Sequence, residues 1–352
     1  MNPRIDRLRD ETRALGARSF LVTNPVNVRY LSGFASSNAA LIVRPDAVLL
    51  ATDGRYQEAA RTVPDVEFVA AHRSLLADLG PRLSEVAEAP VAFEADHVTV
   101  AGREALSADG MTLLPAKGLL QRLRAVKDSG ELEAIRRAAR VTDAAYERVA
   151  GESFVGRTER DLAWRMEVLL HEEGAEEPAF PVIVASGPNA ALPHHHPGER
   201  TIEPGETVVI DAGAQIGGYC SDCTRTFATG ALPADLQQAY ELCRSAQETS
   251  LAAVRPGASG RDVDGIARSA IEESGLAPVL HGLGHGVGLE VHEAPVLRLE
   301  STDTLAAGNV VTVEPGVYVA GLGGVRIEDL VVVTDKGPEV LSPFTKELLT
   351  LD

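Results

Sequence analysis

Short apolar runs broken by turn residues mark the first third of the chain. Residues 20–23 (FLVT), 40–43 (ALIV) and 47–51 (AVLLA) have the composition of short buried strands. Asn24-Pro25 and Arg44-Pro45-Asp46 supply turns between or after them. Residues 53–61 (DGRYQEAAR) predict a helix with Asp53 as its N-cap. Residues 74–88 predict an amphipathic helix that Gly80-Pro81 interrupts. Strands mixed with short helices predict an α/β domain.

Near residue 126 the periods lengthen. Asp128 and Glu131, at capping-box spacing, open the run ELEAIRRAARVTDAAYERVA. Thr158 with Asp161, and Ser259 with Asp262, open two more helices, and residues 233–254 predict another. Trp164 and the leucines of its helix are expected in the core. Between the helices lie strand-like runs: PVIVASG, ETVVIDAGA, NVVTVEPGVYV and VRIEDLVVVT. The domain boundary falls just before the first long helix, giving an α/β domain at 1–125 and a domain of helices on a largely antiparallel sheet at 126–352. The fold class is α+β.

Charge sharpens this division. Residues 1–125 hold 15 Lys+Arg and 15 Asp+Glu, whereas residues 126–352 hold 18 and 36, so the second domain carries the whole net charge of −18. Such a balance argues against nucleic acid as a partner. No apolar run approaches the ~18 residues of a membrane span, and the charged N-terminal stretch does not read as a secretory signal. Three cysteines make no disulfide framework, which fits the cytoplasm.

Some of the acids sit where solvation does not explain them. Asp211 ends an apolar strand run, where a carboxylate is costly unless paired or metal-bound. A hairpin symmetric about Ile216-Gly217 places Asp211 opposite Asp222, with Cβ atoms ~4.5–5.5 Å apart. A hairpin symmetric about Gly321 likewise places Glu314 opposite Glu328. Either hairpin alone is more often a solvent-facing pair than a ligand pair. Two of them, each on apolar strands, favour a divalent cation between the acids. Between the hairpins, HGLGHGVGLEVHEAP brings His281, His285 and His292 into a glycine-rich segment, where backbone presses close to a site. Four carboxylates and an imidazole suit Mn²⁺, Co²⁺, Fe²⁺ or Zn²⁺. Cys220 and Cys223 form a lone C-x-x-C around Asp222 and read as small strand residues.

The ordered set Asp211 (IDAG), Asp222 (SDCTRTF), His285 (GHGVG), Glu314 (VEPG) and Glu328 (RIED) resembles the pita-bread metallopeptidases, the family of Xaa-Pro dipeptidase (prolidase), Xaa-Pro aminopeptidase and methionine aminopeptidase. NPVNVRYLSGF and VKDSGELEAIRRA resemble the creatinase-type N-terminal domain of the proline-specific branch, which methionine aminopeptidases generally lack. The resemblance implies two divalent metal ions, manganese first and cobalt or zinc next. Asp211, Asp222 and Glu328 would be bridging or paired ligands, and His285 and Glu314 ligands of one ion. It further implies attack by a metal-bridging hydroxide, with Glu314 as proton shuttle. His281 and His292 would hold substrate and stabilise the oxyanion. His194, with His195 and His196 as neighbouring alternatives, would touch substrate. Arg326 lies on the face of Glu328 and would orient a ligand carboxylate or meet the substrate.

The expected activity is hydrolysis of Xaa-Pro dipeptides by a cytoplasmic homodimer. An Xaa-Pro aminopeptidase acting on longer peptides, and a non-peptidase or purely binding relative of the fold, are the competing readings. The complete ligand set speaks against the last two.

Overall fold

In the computed structural model, which describes residues 2–351, the early apolar runs form one mixed six-stranded sheet. Its order is Glu67–Ala70, Val48–Thr52, Ala39–Val43, Ser19–Val22, Val91–Glu94, Leu113–Ala116. The three middle strands are antiparallel and the outer pairings parallel. Ser19–Val22 and Ala39–Val43 are buried along their whole length, as continuous apolar runs require. This sheet belongs to one unit, Met1–Arg124, and the rest of the chain forms another, Ala125–Asp352.

In the first unit one expected helix shrinks and another is interrupted where Gly80-Pro81 predicts. The helix expected over 53–61 is only Gln57–Ala60, and no side chain caps it. Asp53 instead accepts bonds from the Arg55 backbone and guanidinium and from Asn38. An Asp that finds local donors closes a turn rather than starting a helix. The helix expected over 74–88 splits at Gly80-Pro81 into Leu75–Leu79, a 3₁₀ turn Gly80–Arg82 and Leu83–Val86.

In the second unit the cap signals hold. Ser129–Val149 starts with reciprocal Asp128–Glu131 bonds, and Glu159–Glu172 with reciprocal Thr158–Asp161 bonds. Gly260–Ser274 starts with the Ser259 hydroxyl accepting from the Asp262 backbone. The helix at 233–254 runs Ala234–Ala253. Leu162, Met166, Leu169 and Leu170 are buried on one face of Glu159–Glu172, each contributing ~1.5–3 kcal/mol. Trp164 is 66% exposed, against expectation. At about 100° per residue, position 164 points away from the stripe made by 159, 162, 163, 166, 169 and 170.

Every ladder among the described strands of this unit is antiparallel, but the sheet comes in pieces. One piece is Cys223–Ala228, Thr207–Ala212, Ile183–Ser186. The largest is Glu293–Leu297, Gly284–Gly286, Val310–Val313, Asp329–Thr334, Gly337–Val340. The first acidic hairpin departs from the expected register. Asp211 pairs with Thr224, not Asp222, and Gln215 with Cys220. The turn is Gly217-Gly218, both left-handed at φ 59° and 82°, a conformation glycine adopts without strain. The second hairpin follows the expected register. Gly316 pairs with Arg326 and Val313 with Asp329, symmetric about Gly321. Glu314 and Glu328 lie in the break between those two ladders, each seven residues from Gly321, and neither is paired in a ladder.

Buried polar groups tie these strands to their surroundings. The Tyr146 hydroxyl lies 2.9 Å from the Ile210 carbonyl and 2.8 Å from that of Cys223, bridging the first hairpin. Arg225, 2% exposed, donates to the carbonyls of Glu328, Ser342 and Phe344 and pairs with Asp329 at 3.0 Å.

Candidate active site and metal centre

The ladder ends in both hairpins deliver the acids to one place. Asp211 is the last residue but one of its strand, and Asp222 lies just before the partner strand. Glu314 follows Val310–Val313, and its N–H donates to the Leu283 carbonyl. The Glu328 N–H donates to Thr224 instead of continuing the ladder. His285 sits mid-strand in Gly284–Gly286. A Cβ on Gly284 would lie 2.1 Å from the Thr312 carbonyl oxygen, so only glycine lets the histidine strand approach this closely. Ligand atoms of Asp222, His285 and Glu328 lie within 4.8 Å of one another. His285 Nε2 is 3.1 Å from Glu314 Oε1 and 3.7 Å from Asp222 Oδ2. All five residues line a cavity of about 670 Å³.

Their charges conflict. Burial, then the charges of Glu328, Asp211 and Glu314, pushes the Asp222 carboxyl well above the usual range. Burial does the same to Glu328, helped by Glu314 and Asp211. Burial also raises Asp211, against the pull of Arg326. Burial opposes ionisation of Glu314 too, but the His285 bond and neighbouring cationic groups hold it down to about 2. Asp211 Oδ1 is buried with no hydrogen-bond partner among the described residues. A crowd of buried carboxylates with an orphaned oxygen has the donor chemistry that divalent cations satisfy. The imidazole fits as well. His285 Nδ1 lies 3.1 Å from the Gly286 carbonyl, which can only accept, so a proton sits there, and Nε2, which faces the carboxylates, is the nitrogen a cation would take in place of its proton.

Several supporting groups carry no signal in the sequence. The Thr224 hydroxyl accepts from Arg326 Nε at 3.1 Å and donates to Glu328 Oε2 at 2.7 Å. The Thr312 hydroxyl accepts from the His285 N–H at 3.0 Å and donates to Glu314 Oε1 at 3.1 Å. Each threonine thus couples two site residues, yet threonine is ordinary in a strand. Arg326, 4% exposed, donates to Asp211 Oδ2 at 2.6 Å, to the Pro193 carbonyl at 3.1 Å and to the Tyr318 hydroxyl at 3.3 Å. Tyr318 in turn reaches His281 Nε2 at 2.7 Å, and His281 Nδ1 donates to the Gly282 carbonyl.

His194, His195, His196, His281 and His292 also line the cavity. The His292 ring centroid is 4.3 Å from that of His285, and burial lowers its pKa, with the His285 charge adding to this. Burial likewise lowers that of His281. Among His194, His195 and His196, the outer two are exposed, while His195 Nε2 lies 2.7 Å from Glu159. Cys220 and Cys223 are buried and free, and burial pushes the Cys223 thiol far up, so it keeps its proton.

Residues 4–126 match the Creatinase/Prolidase N-terminal domain and residues 133–335 match metallopeptidase family M24. The Xaa-Pro dipeptidase of Pyrococcus furiosus is 34% identical over 349 residues, covering 93% of this chain and 94% of that one. The solved Xaa-Pro dipeptidase from Bacillus anthracis superposes with a TM-score of 0.94 at 35% identity, covering 99% of both chains. The X-Pro aminopeptidase from Thermotoga maritima superposes with a TM-score of 0.90 at 31% identity, also covering 99% of both. The acidic hairpins, their shared histidine and the domain ahead of them have one common account: the chain belongs to metallopeptidase family M24, with a creatinase-type domain preceding a pita-bread catalytic domain.

Proposed function

We propose that the protein hydrolyses the bond between an N-terminal residue and proline in Xaa-Pro dipeptides, using two divalent cations held by Asp211, Asp222, His285, Glu314 and Glu328. The observation that carries this reading is the convergence of those five residues on one cavity, with Asp211 Oδ1 left unpaired. Full-length likeness to Xaa-Pro dipeptidases supports the substrate class. The bound cations supply Lewis-acid activation of water and of the scissile carbonyl near neutral pH.

The chain's own groups do the rest. Asp211, Asp222, Glu328, His285 and Glu314 would together hold the cations. Glu314 takes a proton from the attacking water and delivers it to the departing proline nitrogen, which has no N–H of its own. His292, with no bond among the described residues, is free to donate to the developing oxyanion. His281 has both ring nitrogens engaged and acts through Tyr318. His194 meets the peptide. Arg326 orients Asp211 and faces the substrate from beneath.

Two guanidinium groups line the cavity, and Arg326 is committed to Asp211. Arg298 is exposed and has no partner among the described residues, which leaves it for the free carboxylate of a dipeptide. The reading includes manganese as first ion, a homodimer as the family resemblance implies, and a cytoplasmic location, in keeping with free cysteines. No helix of the described residues is long and apolar enough to cross a membrane.

Rates on Xaa-Pro, its C-terminal amide and Xaa-Pro-Yaa test the proposal, with the free dipeptide expected fastest. An Arg298→Ala variant should lose the preference for the acid over the amide. The likeness to an X-Pro aminopeptidase favours the second reading, action on longer peptides, and a tripeptide cleaved faster than the dipeptide establishes it. Absence of both bound metal and cleavage rejects a peptidase.

A further inference from the structure

The segment carrying His194 is fastened from below by one carboxylate. Glu159 is the first residue of the helix Glu159–Glu172 and is fully buried. Its Oε1 accepts from the Ser186 N–H and hydroxyl, both at 2.9 Å, and from Asn189 Nδ2 at 3.0 Å. Its Oε2 accepts from His195 Nε2 at 2.7 Å and from the Gly198 N–H at 3.3 Å. A carboxylate is costly to bury unless donors saturate it, and here they come from both feet of the 187–198 loop and from its crest. Burial raises the Glu159 pKa, but the bonds from His195, Ser186 and Asn189 outweigh it and hold the group ionised. The proton of the shared bond therefore sits on His195 Nε2.

His194 itself is exposed and bonds to no described residue, so its position depends on its neighbours. On one side the Pro193 carbonyl accepts from Arg326. On the other, His195 is bound to Glu159. The crest of the loop is pinned at both flanks of His194, with its side chain left free at the cavity wall.

We infer that Glu159 and His195 form a positioning latch, which fixes the loop so that His194 meets the peptide and which sets peptide affinity through that contact. The inference rests on His194 touching substrate in the proposed reaction. The latch lies outside the metal ligands, so its loss changes binding of the peptide and leaves metal content alone.

His195→Phe keeps a planar aromatic ring, slightly larger, and removes the donor, whereas His195→Gln restores an N–H for Glu159. His195→Phe should raise KM for an Xaa-Pro dipeptide about tenfold, as expected for losing a hydrogen bond to a charged group, with kcat within about twofold. Bound metal, measured by elemental analysis, should be unchanged, and His195→Gln should recover most of the KM. In a His194→Ala background His195→Phe should add nothing, because the contact it positions is gone. An unchanged KM, an equal effect in both backgrounds, or no rescue by Gln overturns the latch. If the unaltered protein cleaves no Xaa-Pro dipeptide, the functional reading fails by itself. Amide exchange over residues 192–198 then decides the latch: faster exchange in His195→Phe, reversed in His195→Gln, supports it, and unchanged exchange overturns it.

Discussion

The two acidic hairpins reach the same site by different geometry. In the Glu hairpin the ladders on both sides of the break share one register about Gly321, and Glu314 and Glu328 lie in that break equidistant from the turn. In the Asp hairpin the Gly217-Gly218 turn slips the register by two residues, so Asp211 faces Thr224 and Asp222 falls opposite Gly213. A two-residue slip preserves the face each side chain points to, whereas a one-residue slip reverses it. Ligand geometry in such a sheet therefore depends on parity and on where the ladder breaks, and direct opposition is dispensable.

The strongest way to break the comparison is to remove one acid from each hairpin. Asp222→Asn and Glu328→Gln should each lower kcat/KM by about a thousandfold, with bound metal falling below two ions per chain by elemental analysis. If one variant retains full activity, the hairpins are not equal partners. Prolonged chelation should abolish activity of the unaltered protein, and Mn²⁺ should restore it.

The supporting threonines sharpen the contrast, because Thr224 of the Asp hairpin reaches Glu328 in the other hairpin, whereas Thr312 serves Glu314 within its own. Thr224→Val removes the hydroxyl shared by Arg326 and Glu328, and Thr312→Val the one shared by the His285 N–H and Glu314. Each should reduce kcat or metal affinity by about 10- to 100-fold, read by steady-state kinetics and metal titration.

The turns should differ in stability alone. Replacing Gly217 and Gly218 together with Ala puts two residues into left-handed backbone and should cost about 2 kcal/mol. Gly321→Ala, with one such residue and open space around it, should cost about 1 kcal/mol. Denaturant unfolding measures both.

Asp143 gives the smallest effect and a baseline outside the hairpins. Burial raises its pKa to about 6. The folded protein therefore holds a proton that the unfolded chain has released, and the stability this gives is complete below about pH 4 and lost as pH rises through 6. Asp143→Asn keeps the acceptor for the Phe344 N–H and should gain about 1 kcal/mol at pH 7.5 but nothing at pH 4, by thermal unfolding at the two pH values.

The cluster was legible because an acid on an apolar strand run is physically anomalous, and four such acids with a glycine-flanked histidine between them, in order, leave few accounts. The cap signals were legible because capping boxes act over three residues. The Asp register was not, since Ile216-Gly217 and Gly217-Gly218 are both plausible turn centres and only the backbone conformation separates them. Trp164 was misplaced because a large apolar residue within a leucine-rich helix reads as core until the facing strands define the buried side. Glu159 looked like one more acid in a first helical turn. Its partners at 186, 189, 195 and 198 lie 27 to 39 residues away, beyond any local pattern. Thr224, Thr312 and Tyr318 were hidden for the same reason.

The Arg225 guanidinium ends on carbonyls at 342 and 344, directly behind the backbone of Glu328. The closing stretch of polypeptide is thus a wedge driven in under the catalytic floor. Displacing it would take the 342 and 344 carbonyls from a guanidinium in the dry interior and leave the Arg225–Asp329 pair to carry that charge alone.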